Sequence, residues 1–326
     1  MTNPQEGYYL IALAAGVLLS GGLFAAARRR GGVPVRRAAA EYLAGILAAL
    51  ILAKAFYAAL NGYGPAKWFR TDPREFSFIA GAAGFCLGPA LVSLRRREKI
   101  PALLDDLAAP GCLLAAFIRF GEIFWGQLGL ADVWSLGLPD IREGSLLARF
   151  PFAARDAWGF WYLSVSTLAA GAALAAAVYA LCRGKKGGFP AGVLFERCAV
   201  PLCAVRMFLE LTRMESFIIH FVHVDQALGA LLMLLMIIHA CVRRKRAAGR
   251  FPALPLALAV FCILLNGTVQ FLMDKPWMFE KLIPAGLFLW INDNLKPFGY
   301  SLLLLTVAVP AAAHAALCGK GQKQPE

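Results

Sequence analysis

Nine runs of about 20 apolar residues, joined by short polar segments, constrain this chain more than any other feature. They lie near 8–27, 39–60, 76–94, 107–126, 158–182, 190–212, 224–242, 253–273 and 297–317. In a bilayer core no water bonds an open backbone, so each run is expected to close its own hydrogen bonds as a helix. With 60% hydrophobic and 16% charged residues and no soluble-looking stretch of domain length, an ordinary water-soluble globule is excluded. The expected fold is an all-α, polytopic membrane helix bundle.

Basic residues set the expected orientation. Arg28 to Arg30 follow the first apolar run instead of preceding it, which marks a retained helix and not a cleaved signal peptide. Clusters then recur after alternate runs: Arg28–Arg30 with Arg36 and Arg37; Arg95–Arg97 with Lys99; Arg183, Lys185 and Lys186; Arg243–Arg246 with Arg250; Lys320 and Lys323. The positive-inside rule puts all five in the cytoplasm, the N-terminus outside and the C-terminus inside. The +13 balance then reads as a clamp on anionic lipid and not on nucleic acid.

Two arginines interrupt this pattern, Arg119 in LLAAFIRFGEIFWGQ and Arg206 in LCAVRMFLELTR. Arginine at the centre of a membrane helix costs about 2.5 to 3.5 kcal/mol on insertion scales, so such a residue is expected to face a bundle interior or polar cavity. Carboxylates follow at helical spacing, Glu122 after Arg119 and Glu210 after Arg206, with Arg213 one turn further. Planar, permanently charged guanidinium groups fork onto phosphate oxygens and suit a phospholipid headgroup.

Other reactive side chains carry weaker patterns. The eight cysteines fall almost entirely within apolar runs and have no C-x-x-C spacing, which reads as small core residues. His220 and His223, near Asp225, have a spacing that binds metals but no third ligand at a defined distance, so no metal is expected. Gly81, Gly84 and Gly88 in FIAGAAGFCLGP predict close helix approach. The segments 128–157 and 274–296 are expected as outer, Trp-anchored interfacial stretches.

DDLAAPGCLLAAFIRFGEIFWGQLG, with Asp106, Pro110, Arg119, Gly121 and Gln127, resembles the signature of the bacterial prolipoprotein diacylglyceryl transferases. Three further stretches follow in the order that family uses: ALILAKAFYAAL with Lys54 and Tyr57, FSFIAGAAG, and VRMFLELTR. The resemblance implies a seven-helix transferase-like domain over residues 1–250, followed by an additional hairpin and basic tail over 251–326.

It further implies transfer of a diacylglyceryl group from phosphatidylglycerol to the lipobox cysteine of a lipoprotein precursor at the bacterial plasma membrane, with no cofactor. Arg119, Arg206 and Glu210 would be catalytic. Tyr57, Lys54, Gly121, Glu122, Gln127 and Arg213 would bind substrate, and prolipoprotein signal peptides would be the partners. Ile79 stands where the family has histidine, Glu122 where it has asparagine and Gln127 where it has the closing glutamate. Two other readings follow from these departures and from the added hairpin: a phospholipid-binding relative without catalysis, and a lipid transporter.

Overall fold

Each expected span contains a helix. The computed structural model describes residues 4–64, 68, 76–95, 98–124, 133–134, 144–149, 151–155, 161–186, 188–210, 218–219, 222–274 and 284–318. Among the described residues the helices are α1 (Pro4–Arg30), α2 (Val35–Leu60), α3 (Phe78–Leu94), α4 (Ile100–Glu122), α5 (Val165–Lys186), α6 (Val193–Glu210), α7 (Val224–Ala248), α8 (Ala253–Asp274) and α9 (Ala285–Leu317). Seven of these, all but α3 and α6, are long and apolar enough to cross a membrane. At 17 residues α3 is shorter, and α6 carries Glu196, Arg197, Arg206 and Glu210.

The last helix corrects an expectation: α9 begins at Ala285 and not near 297, so most of the second half of the segment expected as an outer interfacial stretch is helical. Two further boundaries differ for physical reasons. Helix α4 begins at Ile100, earlier than an apolar window allows, because the carboxylates of Asp105 and Asp106 are both bonded inside the bundle. The run expected from 158 is extended over its first described residues: Trp161–Ser164 pairs antiparallel with Ala153–Arg155 on one side and Val133–Trp134 on the other. Aromatic residues favour a pleated ribbon, and α5 begins where that ribbon ends. Short strands also pair at Ile218–Ile219 and Val222–His223.

The chain forms two compact units that divide inside α6, one holding described residues up to Leu202 and the other those from Cys203 onward. The expected boundary after residue 250 is the end of the seven-helix domain that the family resemblance implies. In packing terms, α8 and α9 lie against each other and against α7 within the second unit.

Within the first unit, α2 and α3 meet through glycine. A Cβ on Gly84 would stand 2.5 Å from the Ala48 carbonyl oxygen, and one on Gly88 would strike Ala44, so neither position accepts a side chain. Helix α1 packs on α4, and α4 on α5. Phe24, Tyr42, Phe85, Leu103, Leu107 and Leu114 form one buried cluster; Ala108, Ala109, Cys112, Ala177, Ala180, Leu194 and Cys198 form another. Leu43, Leu47, Leu50 and Ile51 of α2 point outward, which suits a lipid-facing surface.

One end of this unit is an ion-pair network. Arg28 of α1 bonds Glu41 of α2 at 2.9 Å, Glu98 at 2.7 Å and Asp106 of α4 at 3.3 Å. Arg37 also bonds Glu41, at 2.9 Å, and Glu98. Glu41 is 0% exposed, and its charge is tolerable because two guanidinium groups share it. Two of the expected cytoplasmic clusters contribute to this end, through Arg28, Arg30, Arg37 and Arg183, and Glu98 joins it from within a third.

Candidate functional site

Arg119 lies in the last turn of α4, not at mid-helix as expected, and is 4% exposed. Placed there, its charge sits near the helix end, where membrane insertion costs less than at the bilayer centre. Its Nη1 donates to Glu122 Oε2 at 2.7 Å, and its guanidinium carbon is 4.0 Å from the centroid of the Phe78 ring at the start of α3. Ser166 Oγ of α5 donates to the same Glu122 oxygen at 3.4 Å. Four separate stretches of sequence therefore meet at one helix end once Tyr9 is included, because α1 approaches through Gly121: a Cβ there would stand 3.2 Å from the Tyr9 ring.

The first turn of α3 orders a second cation beside this group. Ser77 caps the helix, accepting the Ala80 N–H at 3.3 Å, while its own N–H donates to Ala53 O of α2 at 3.2 Å. The two aromatic residues flanking Ser77 each face a cation: Phe76 lies 5.2 Å from Lys54 Nζ, and Phe78 lies under Arg119. Lys54 is buried in the penultimate turn of α2. Tyr57, one turn on, packs against Tyr63 with ring centroids 6.0 Å apart.

In the second unit Arg206 is 7% exposed on α6 and holds two carboxylates, Glu210 at 2.8 Å and Asp225 of α7 at 2.7 Å. The next residue, Gln226, begins a buried polar chain across three helices. Gln226 Nε2 donates to Asn266 Oδ1 of α8 at 2.6 Å, and Asn266 Nδ2 donates to Thr306 Oγ1 of α9 at 2.8 Å. Gln270, one turn after Asn266 and 7% exposed, has no partner for its Nε2 among the described residues. His223 is buried at the N-cap of α7.

Of the expected site residues, the first unit brings together Arg119, Gly121 and Glu122, with Lys54 on the ring of Phe76, two residues before the Phe78 that Arg119 faces, and Tyr57 one turn after Lys54 on α2. The second unit joins Arg206 to Glu210. Gln127, Arg213 and His220 lie outside the described residues. Sequence reading missed Tyr9, Phe76, Phe78, Ser166, Gln226, Asn266, Gln270 and Thr306, and it noted Asp225 beside the histidines but not as the partner of Arg206. An amide inside an otherwise apolar run, such as Asn266 in FCILLNGTVQ, is the signal that was available. The cysteines are all free thiols, five of them buried, as core residues are.

No family model, curated protein or solved structure matches this chain, so its resemblance to the diacylglyceryl transferases rests on motif order alone.

Proposed function

We propose that this chain is a multi-pass membrane protein that engages a phospholipid headgroup at Arg119 and transfers its diacylglyceryl group to a cysteine thiol, with phosphatidylglycerol as donor and a lipoprotein precursor as acceptor. The observation that carries the reading is the Arg119 guanidinium, buried at a helix end, with its plane held by Phe78 and its edge by Glu122. A cation oriented in advance and out of water stabilises charge that develops on a leaving group without reorganising.

In the reaction the thiol sulfur bonds to the terminal glycerol carbon of the diacylglyceryl group. The carbon–oxygen bond to phosphate breaks, and glycerol phosphate leaves with the electron pair. The thiol proton passes to a carboxylate, for which Glu122 is placed beside Arg119. Arg206, held by Glu210 and Asp225 in the second unit, is a separate candidate cation whose part in transfer the variants below test. The protein would act at the outer face of a bacterial plasma membrane, with its basic clusters in the cytoplasm.

A second reading, headgroup binding without transfer, is favoured by Ile79. It stands where the resemblance implies a histidine and is itself 6% exposed in the first turns of α3, so that position offers no base.

The test is transfer of labelled glycerolipid from phosphatidylglycerol to a lipobox peptide by purified protein in bilayers, with Arg119→Ala and Arg206→Ala beside it. Transfer lost in both variants supports the enzyme. Absence of transfer together with saturable, Arg119-dependent lipid binding selects the second reading, and absence of both sinks the headgroup site.

A further inference from the structure

The far end of α4, about 20 Å along the helix from Arg119, borders a cavity that the proposed reaction does not use. It encloses about 430 Å³ between α1, α4, α5 and the start of α6. Leu23, Ala180 and Leu194 give it an apolar wall, and four charged residues line it: Arg30, Asp105, Asp106 and Arg183.

The two carboxylates are already engaged. Asp105 accepts the Gly192 N–H at 2.7 Å and the Phe195 N–H at 2.9 Å, capping α6 from a neighbouring helix. Asp106 accepts from Arg28 Nη1 at 3.3 Å. The arginines are not engaged in the same way. Among the described residues Arg30 bonds only its own helix, Ala26 O at 3.5 Å, and feels Asp106 without forming an ion pair with it. Arg183 lies 5.4 Å from the Phe189 ring centroid and pairs with no carboxylate among the described residues.

Two guanidinium groups on different helices, with their neighbouring carboxylates spoken for, present forked donors at the mouth of an apolar cleft. That combination fits an anion that carries a hydrocarbon tail. We propose that this cavity binds the phosphoryl headgroup of an anionic glycerophospholipid from the leaflet at the basic end. Arg30 and Arg183 take the phosphate oxygens, and Leu23, Ala180 and Leu194 take the glycerol end of the acyl chains. The site is separate from the one at Arg119 and does not depend on whether transfer occurs there.

A phosphatidylglycerol carrying a diazirine near its glycerol, photolysed with the full chain in phosphatidylcholine vesicles, reads this site directly, because adducts are mapped to peptides. Adducts are expected on α1 and α5 around Leu23 and Ala180. Arg30→Gln with Arg183→Gln lowers their yield about tenfold, while Arg29→Gln, an exposed arginine outside the cavity, leaves it unchanged. Ala27→Leu, which narrows the cleft without touching charge, lowers the yield as well and serves as the test should the double variant fail to insert.

Unchanged labelling in the double variant and in Ala27→Leu overturns the proposal, as does an equal fall in Arg29→Gln. Excess inorganic phosphate that abolishes the labelling reassigns the arginines to a soluble phosphate. Labelling that resists phosphate supports the lipid.

Discussion

The Arg119 guanidinium carbon lies 4.0 Å from the centre of the Phe78 ring while Nη1 holds Glu122 at 2.7 Å, so one contact fixes the plane of the group and the other fixes its rotation within that plane. A compact ammonium satisfies neither constraint as well. Arg119→Lys, which keeps the charge, is therefore expected to lose at least about tenfold in headgroup binding or transfer. Phe78→Leu is expected to reproduce part of that loss. Lipid affinity measured across the two variants decides it, and wild-type affinity in the lysine variant refutes the oriented-guanidinium argument.

At the other end of the unit, Arg28 serves Glu41, Glu98 and Asp106 together. Arg28→Gln leaves the fully buried Glu41 with Arg37 alone and is expected to cost about 3 to 5 kcal/mol. Adding Glu41→Gln should restore part of this, because the stranded charge goes with it. Thermal unfolding of the two single variants and the double variant in detergent gives the coupling. Strict additivity would show that the pair does not interact.

Asp105 caps a helix that is not its own. Asp105→Ala is expected to destabilise the start of α6 by about 0.5 to 2 kcal/mol, the range of an N-cap loss. Hydrogen exchange should accelerate at the amides of Gly192 and Phe195 and stay unchanged in α2. Unaltered exchange at both amides would mean that the contact contributes nothing.

In the second unit Asn266 both accepts from Gln226 and donates to Thr306. Asn266→Leu removes the acceptor of Gln226 Nε2 and leaves Thr306 Oγ1 only its bond to Leu303 O at 2.8 Å, and is expected to cost about 1 kcal/mol, the scale of an interhelical bond between membrane helices. Thr306→Val tests the lower half of the chain alone, and its unfolding midpoint should fall by less than that of Asn266→Leu.

The helices were legible because an apolar run in a membrane has little alternative to closing its own hydrogen bonds, and their order follows from hydropathy, although α3 and α6 fall short of the length and apolarity of a span. The pairing of Arg119 with Glu122 and of Arg206 with Glu210 was equally legible, since helical spacing decides it. The early start of α4 was not legible. Asp105 and Asp106 look like loop residues until Gly192, Phe195 and Arg28 are brought to them from distant segments. Ser166 and Asp225 reach their partners across 44 and 19 residues, and no local pattern encodes such meetings. The extended stretch before α5 was read as helix because an aromatic run of that length has no distinct period until its partner strands are known.

The 17 residues of α3 rise only about 25 Å, a few ångströms short of the roughly 30 Å hydrocarbon layer that full-length spans cross. A span that short draws the bilayer surface down towards its ends. Its first turn carries Phe78, the ring against which Arg119 rests. In the proposed function, the dimple that hydrophobic mismatch makes in the lipid would open beside the buried guanidinium, and a headgroup entering from water would descend to it without its charge traversing the oily interior.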